Sequence, residues 1–204
     1  MQTCILTEPQ GETAWLVMEK LLLRGMRLYA LAAPSPRLDA LAARFPEQLE
    51  RIDPKADPAA LEGVHADMLV IDASSPPEED FAVLEEGKDI DSAVSCYRKA
   101  AGPLRLAAGL LPLAAGPHPG RICWITGAQA AGGYCEEMRR TALHMGIKLL
   151  FNALRPQGYT FRLVCQAPQG EENGYAAEYF LRARAGGDEE RLTLHNHLGV
   201  ELPW

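Results

Sequence analysis

Short apolar runs alternate with stretches of helical spacing along most of this chain. Residues 3 to 7 (TCILT) are a compact apolar run that predicts a strand, and Pro9 with Gly11 mark a turn behind it. From Ala14 to Arg24 the residues Trp15, Leu16, Met18, Leu21, Leu22 and Leu23 fall at helical spacing, and Gly25 supplies the stop. Met26 to Ala32 predicts a second strand. A strand, helix and strand this close together make a right-handed βαβ crossover, so the first two strands are expected as parallel neighbours.

The same alternation continues. Arg37 to Phe45 predicts a short helix with Leu38, Leu41 and Phe45 inward, and Leu49 to Asp53 a third strand. Pro58 to Gly63 reads as a helical turn. Met68 to Ala73 (MLVIDA) is apolar enough for a central strand covered on both faces. An acidic loop with two prolines, SSPPEEDF, follows. Asp89 to Ala115 has helical periodicity interrupted at Gly102-Pro103, which predicts one kinked helix or two in succession. Arg121 to Thr126 is the next strand, Glu136 to Leu154 a long helix, Thr160 to Cys165 a sixth strand, Glu171 to Arg184 a helix and Arg191 to His197 a last strand. Seven strands alternating with helices imply an α/β fold, a three-layer αβα sandwich of Rossmann type around a doubly wound parallel sheet. Its ligand crevice is expected at the carboxyl ends of the strands.

Composition narrows the partners. The chain has 204 residues, 48% hydrophobic and 23% charged, which suits one compact domain spanning residues 1–204. A net charge of −7 argues against nucleic acid, which needs a basic face to release counterions. No apolar run approaches the roughly 18 residues of a membrane span, and the N-terminus lacks a tripartite secretion signal, so a cytoplasmic location is expected. The five cysteines, Cys4, Cys96, Cys123, Cys135 and Cys165, show no CxxC spacing and read as reduced thiols. Cys135, at the start of a helix, is the one whose position favours reactivity. His195 and His197 share a face of a predicted strand without a third ligand nearby, so no metal is expected. His118, between prolines, and His144 have no partner identifiable in the sequence.

Order and spacing now resemble the short-chain dehydrogenase/reductase family, and the ending resembles its smaller C-factor-like or sniffer-like members. Leu21 to Ala32 is similar to the family's first helix end and second strand, Asp67 to Ser74 (DMLVIDAS) to the fourth strand with its NNAG motif, and Gly102 to Pro112 to the helix after it. Arg121 to Gly127 (RICWITG) is similar to the fifth strand, Arg140 to Pro168 to the catalytic helix running into strand six, and Gly199 to Trp204 (GVELPW) to a C-terminal signature. The resemblance implies a dinucleotide crevice, a tyrosine-based redox site and a homodimer built on the helices near 89–115 and 136–154.

The implied site residues are mostly replaced. The family's phosphate loop TGxxxGxG falls on Thr7, Glu8, Pro9, Gln10, Gly11, Glu12, Thr13 and Ala14. Glycines let the backbone approach a pyrophosphate and offer it N–H groups at a helix N-terminus. Glu8 and Glu12 add negative charge there, and like charges 4 to 5 Å apart cost ~3 kcal/mol, about a hundredfold in affinity. Both also suit the first turn of a helix as dipole-complementing acids. After strand two, Ala33 and Pro34 supply no reader of a ribose or its phosphate. Asp53 matches the adenine-contacting acid, and NNAG becomes Ile71, Asp72, Ala73 and Ser74, so that Asp53, Asp72 and Ala73 would line the crevice. The asparagine, serine, tyrosine and lysine of the tetrad fall on Lys99, Gly127, Glu136 and Arg140, none of which performs its counterpart's step. Tyr134 is the nearest substitute tyrosine, with Met138 at the lysine's spacing, and strand alternation would turn Thr126 to the face opposite the serine. Glu136, Glu137, Arg139 and Arg140 read as a self-paired solvated helix face, or with Lys99 as a pocket for a small polar ligand.

The expectation is therefore a degenerate dehydrogenase-like scaffold without bound cofactor, acting as a binding, regulatory or subunit-interaction protein. The alternative is an oxidoreductase using NAD or NADP through an altered loop, with Tyr134, Glu136, Lys99 and Arg140 as its available groups.

Overall fold

The computed structural model describes residues 1–53, 61–74, 90–116, 120–127, 134–167, 174–182 and 191–203; the side chains of 90–93, 95, 96, 99 and 134–136 lie outside that description. Strands β1 (Thr3–Thr7), β2 (Arg27–Leu31), β3 (Leu49–Ile52), β4 (Met68–Ala73), β5 (Arg121–Thr126), β6 (Thr160–Cys165), β7 (Leu194–His195) and β8 (Glu201–Leu202) form one sheet. Its order is β3-β2-β1-β4-β5-β6-β7-β8. Every described pairing is parallel except that of β8 with β7. The chain runs from β1 outward to β3, then returns to β4 beside β1, so the order reverses between β1 and β4, where doubly wound sheets open their crevice. Among the described residues the helices that flank it are α1 (Glu12–Leu23), α2 (Pro36–Arg44), α3 (Ile90–Leu110), α4 (Tyr134–Leu154) and α5 (Tyr175–Leu181).

All six residues of β4 and of β6 are buried, which is why neither strand alternates apolar and polar residues, although Asp72 in β4 and Thr160 and Arg162 in β6 are polar or charged. Side chains alternate between two cores. Cys4, Leu6, Leu28, Ala30, Val70, Cys123, Ile125 and Val164 meet α1, α2 and α5, while Ile5, Leu69, Ile71, Ile122, Trp124 and Leu163 meet α3 and α4. Helices α3 and α4 pack in close contact at Gly146, where a Cβ would lie 2.3 Å from Leu104 Cδ1. Ser35 caps α2 by accepting the N–H of Leu38 at 3.2 Å, and Pro36 opens the helix with its φ already set.

Of the two alternatives at Gly102-Pro103 the single helix is found: α3 runs through Pro103 and ends in a 3₁₀ turn at Leu111–Ala114. Other expectations need correction. The last strand shrinks to Leu194–His195, and His197 lies in the turn beyond it, so the two histidines share no strand face. Residues Glu201–Leu202, read as tail, form an antiparallel edge strand, which two residues cannot announce by periodicity. The described helix after β6 starts at Tyr175. The acidic loop SSPPEEDF beyond Ser74, His118, Trp204 and residues 58–60 of the predicted turn at 58–63 lie outside the described residues. Among the described residues no helix is long and apolar enough to cross a membrane.

Candidate functional site

The turn from β1 into α1 stands at the crevice, and the chain's own side chains engage it from three sides. Asp72, the last residue but one of β4, is buried. Its Oδ2 accepts the N–H of Gln10 at 2.6 Å and of Gly11 at 3.4 Å, and its Oδ1 accepts the N–H of Ser74 at 2.9 Å. The Asp72 N–H in turn donates to Thr7 Oγ1 at 2.8 Å. Burial pushes the Asp72 carboxyl up, against the pull of these donors. From the end of β6, Gln166 lays its amide over Gly11: a Cβ there would sit 2.3 Å from its Nε2. The next residue, Ala167, donates its N–H to Thr13 Oγ1 at 3.1 Å, fastening the exit of β6 to the first turn of α1. Nothing in the sequence singles out Gln166, because a glutamine is not a diagnostic residue type and it lies far along the chain from Gly11 and Thr13.

Electrostatics at this turn differ from the expectation. Glu12 is not an uncompensated charge: Arg37, in the first turn of α2, donates to its Oε1 at 2.5 Å, and this bond holds the Glu12 carboxyl below the usual range. The Arg37 guanidinium also lies 4.7 Å from the Trp15 ring centroid. A basic group therefore does stand beside the turn, three residues beyond the Ala33-Pro34 pair. Glu8 is exposed, Ala14 is fully buried in the core, and Asp53 is exposed just past β3. Ala73 is buried among residues meeting α3.

A second polar group gathers at the carboxyl end of β5. Thr126 is fully buried on the face covered by α4. Its Oγ1 lies 3.4 Å from His144 Nε2 and 3.7 Å from Cys165 Sγ. Thr126 thus faces the helix that carries positions 136 and 140, and His144, which lacked a partner in the sequence, has one. Burial, then the charges of Arg140 and Arg139, lower the His144 imidazole from 6.5 to about 4, so it is neutral at physiological pH. Burial pushes the Cys165 thiol up, which leaves it inert rather than nucleophilic. Arg140 stands one helical turn before His144, with Nη2 4.0 Å from Glu137 Oε1. Arg139 is no part of a solvated face. It falls on the four-residue stripe of Leu143, Ile147 and Phe151 and is buried with them.

The backbone places Lys99 within α3 and Glu136 and Tyr134 in the first turn of α4; their side chains lie outside the described residues. Gly127 follows β5 with no hydroxyl to offer. Tyr175 and His195, joined by a 2.6 Å contact between the hydroxyl and Nδ1, form a stack with Tyr179 under α5, which gives that histidine a packing partner. Among the described residues no cluster of three or more metal-ligating side chains occurs.

No protein-family model and no curated protein matches this chain. Solved structures do. A Burkholderia multivorans protein ascribed to the short-chain alcohol dehydrogenases aligns with 19% identity and a TM-score of 0.71, covering 100% of this chain and 99% of that one. A second, ascribed to the short-chain dehydrogenase/reductases and carrying bound NADP, aligns with 18% identity and a TM-score of 0.73 over 100% and 99% of the two chains. A carbonyl reductase of Pseudomonas aeruginosa PAO1 gives 17% identity and a TM-score of 0.67 over 100% of both. Along its full length, then, this chain has the Rossmann-type fold of the short-chain dehydrogenase/reductase structures.

Proposed function

We propose that this chain is a degenerate short-chain dehydrogenase/reductase, of the C-factor-like or sniffer-like branch. It serves as a single-domain cytoplasmic binding, regulatory or subunit-interaction protein rather than a conventional dehydrogenase. The observation that carries the reading is the occupied turn: Asp72 takes the N–H groups of Gln10 and Gly11, and Gln166 covers Gly11. A pyrophosphate needs such donors and such backbone approach for itself, and it would meet a carboxylate there. The proton relay is equally altered, with Arg140 permanently charged and no hydroxyl at Gly127. What the β5 end offers instead is Arg140 beside a neutral His144 and the Thr126 hydroxyl, which suits a small polar ligand.

Thermal scans with NAD, NADH, NADP and NADPH test this directly. A dinucleotide at ten times its Kd would add about 1.4 kcal/mol and raise Tm by ~3–6 °C. No such rise is expected for any of the four, and one would overturn the reading. It would favour the alternative, an NAD(P)-dependent oxidoreductase with an altered loop, for which Arg37 beside the start of α1 is the supporting observation.

The outward sides of α3 and α4 expose Tyr97, Met145 and Leu149, the last two one helical turn apart. Apolar groups at that spacing suit burial against a second copy, so we assign a homodimer to these helices. Leu149→Lys is expected to turn it into a folded monomer in sedimentation. A wild-type protein that sediments as a monomer would rule the dimer out.

A further inference from the structure

We propose that Arg162 is the centre of a buried site for a small oxyanion, a free carboxylate or phosphate, between β6 and α5, on the sheet face opposite the Arg140–His144 group. Alternation along β6 sends Phe161, Leu163 and Cys165 toward α3 and α4, and Arg162 with Val164 toward α1 and α5. Arg162 is 1% exposed. Its Nε, Nη1 and Nη2 are all buried without a hydrogen-bond partner among the described residues. A guanidinium stays protonated in proteins, and burying one is costly unless an opposite charge and hydrogen bonds compensate it. The described compensation is the Tyr179 ring, 5.0 Å from the guanidinium carbon. A ring quadrupole offsets only a fraction of that cost.

The surroundings are cationic as well. Arg121, on the neighbouring strand, reaches the same helix by donating from Nη1 to the Phe180 carbonyl, and Arg182 lies 5.8 Å from the centroid of the same Tyr179 ring. Both Arg121 and Arg162 pull on the Cys123 thiol, which burial nevertheless pushes up to about 12. The acid on α5, Glu178, is turned to α1, where it pairs with Arg24 at 3.0 Å and approaches Lys20 at 4.0 Å. A planar fork of donors amid further positive charge matches the geometry of a carboxylate or phosphate. Entry would be over α5, seven residues long and fastened to the sheet edge by the 3.4 Å contact of Tyr179 Oη with Thr193 Oγ1.

The test compares wild type with Arg162→Met in thermal scans against inorganic phosphate and acetate, with sodium chloride at matched ionic strength as baseline. In chloride the variant is expected to melt no lower than wild type, because a long apolar chain replaces an uncompensated charge. Phosphate or acetate should then raise the wild-type Tm saturably and leave the variant on its chloride baseline. Isothermal titration of wild type with phosphate, expected to show one site per chain, keeps the proposal testable if the variant fails to fold. No saturable binding of either anion below about 10 mM would overturn it. A wild type that is more stable than Arg162→Met in chloride and blind to both anions would also overturn it. So would an Asp188→Asn, Glu189→Gln, Glu190→Gln triple variant that alone reproduces the loss, since a carboxylate of the chain itself would then fill the seat. The site is independent of the crevice, so dinucleotide binding leaves this outcome untouched.

Discussion

Acidification from pH 7 to pH 4 is expected to remove about 3 kcal/mol of stability through His144 alone. In the fold its imidazole holds no proton until the pH falls to about 4, because burial and the two arginines oppose the charge. In the unfolded chain it protonates near 6.5. Between those values the unfolded state binds more protons, so stability is full above 6.5, declines as the pH falls, and is lost by about 4. Other groups titrate in the same window, so the informative quantity is a difference. Urea midpoints of wild type and His144→Asn, measured from pH 7 to pH 4.5, should converge toward the acid end, with the variant's profile the flatter. Parallel profiles would show that His144 carries no such burden. The chemistry at stake is local: a neutral imidazole can both accept and donate beside Thr126, whereas a protonated one would face Arg139 and Arg140 as a third positive charge.

Asp72→Ala should cost roughly 2–4 kcal/mol, the other large effect. It strands the N–H groups of Gln10, Gly11 and Ser74, each worth ~1–3 kcal/mol when left without an acceptor, while relief of the buried carboxylate returns part of the sum. The measurement is the denaturation midpoint at pH 7. A loss under about 0.5 kcal/mol, within the range of an ordinary surface substitution, would mean that the carboxylate does not anchor the turn. Repeating the cofactor scans on this variant separates two accounts of the crevice. If Asp72 alone closes it, NADPH should stabilise the variant and not the wild type. If Gln166 and the fastening of Ala167 to Thr13 also contribute, the variant stays silent.

How much of this was legible in the chain depends on the distance over which each feature is made. Strands β1, β5 and β6 begin and end where the sequence predicts, because burial on both faces writes itself into mostly apolar consecutive residues, even with Arg162 inside β6. The sequence leaves the stretch around Pro103 open between one helix and two, because a proline weakens a helix locally while tertiary packing of α3 on α4 decides whether it continues. The site was legible in its residue types and not in its bonds. Gly127 and Arg140 stand where the resemblance places a serine and a lysine, and that much is read from the chain alone. The bonds that join Asp72 to Gln10, His144 to Thr126 and Arg37 to Glu12 are paired by no local pattern. Glu12 shows the error this produces, since its charge was weighed alone while its neutraliser waited 25 residues downstream. Arg139 was within reach, because its four-residue spacing to Leu143, Ile147 and Phe151 marks the inward stripe.

Pro103 has one more consequence. A proline carries no N–H, so the carbonyl four residues earlier in α3, that of Lys99, loses its usual helical donor. Position 99 is where the resemblance places the asparagine of the tetrad. Whatever side chain stands there, the main chain itself presents an oxygen freed from its ladder, able to hold a water or a hydroxyl. In this helix the acceptor at position 99 is supplied by the backbone and would survive every substitution of Lys99, but not the replacement of Pro103 by alanine.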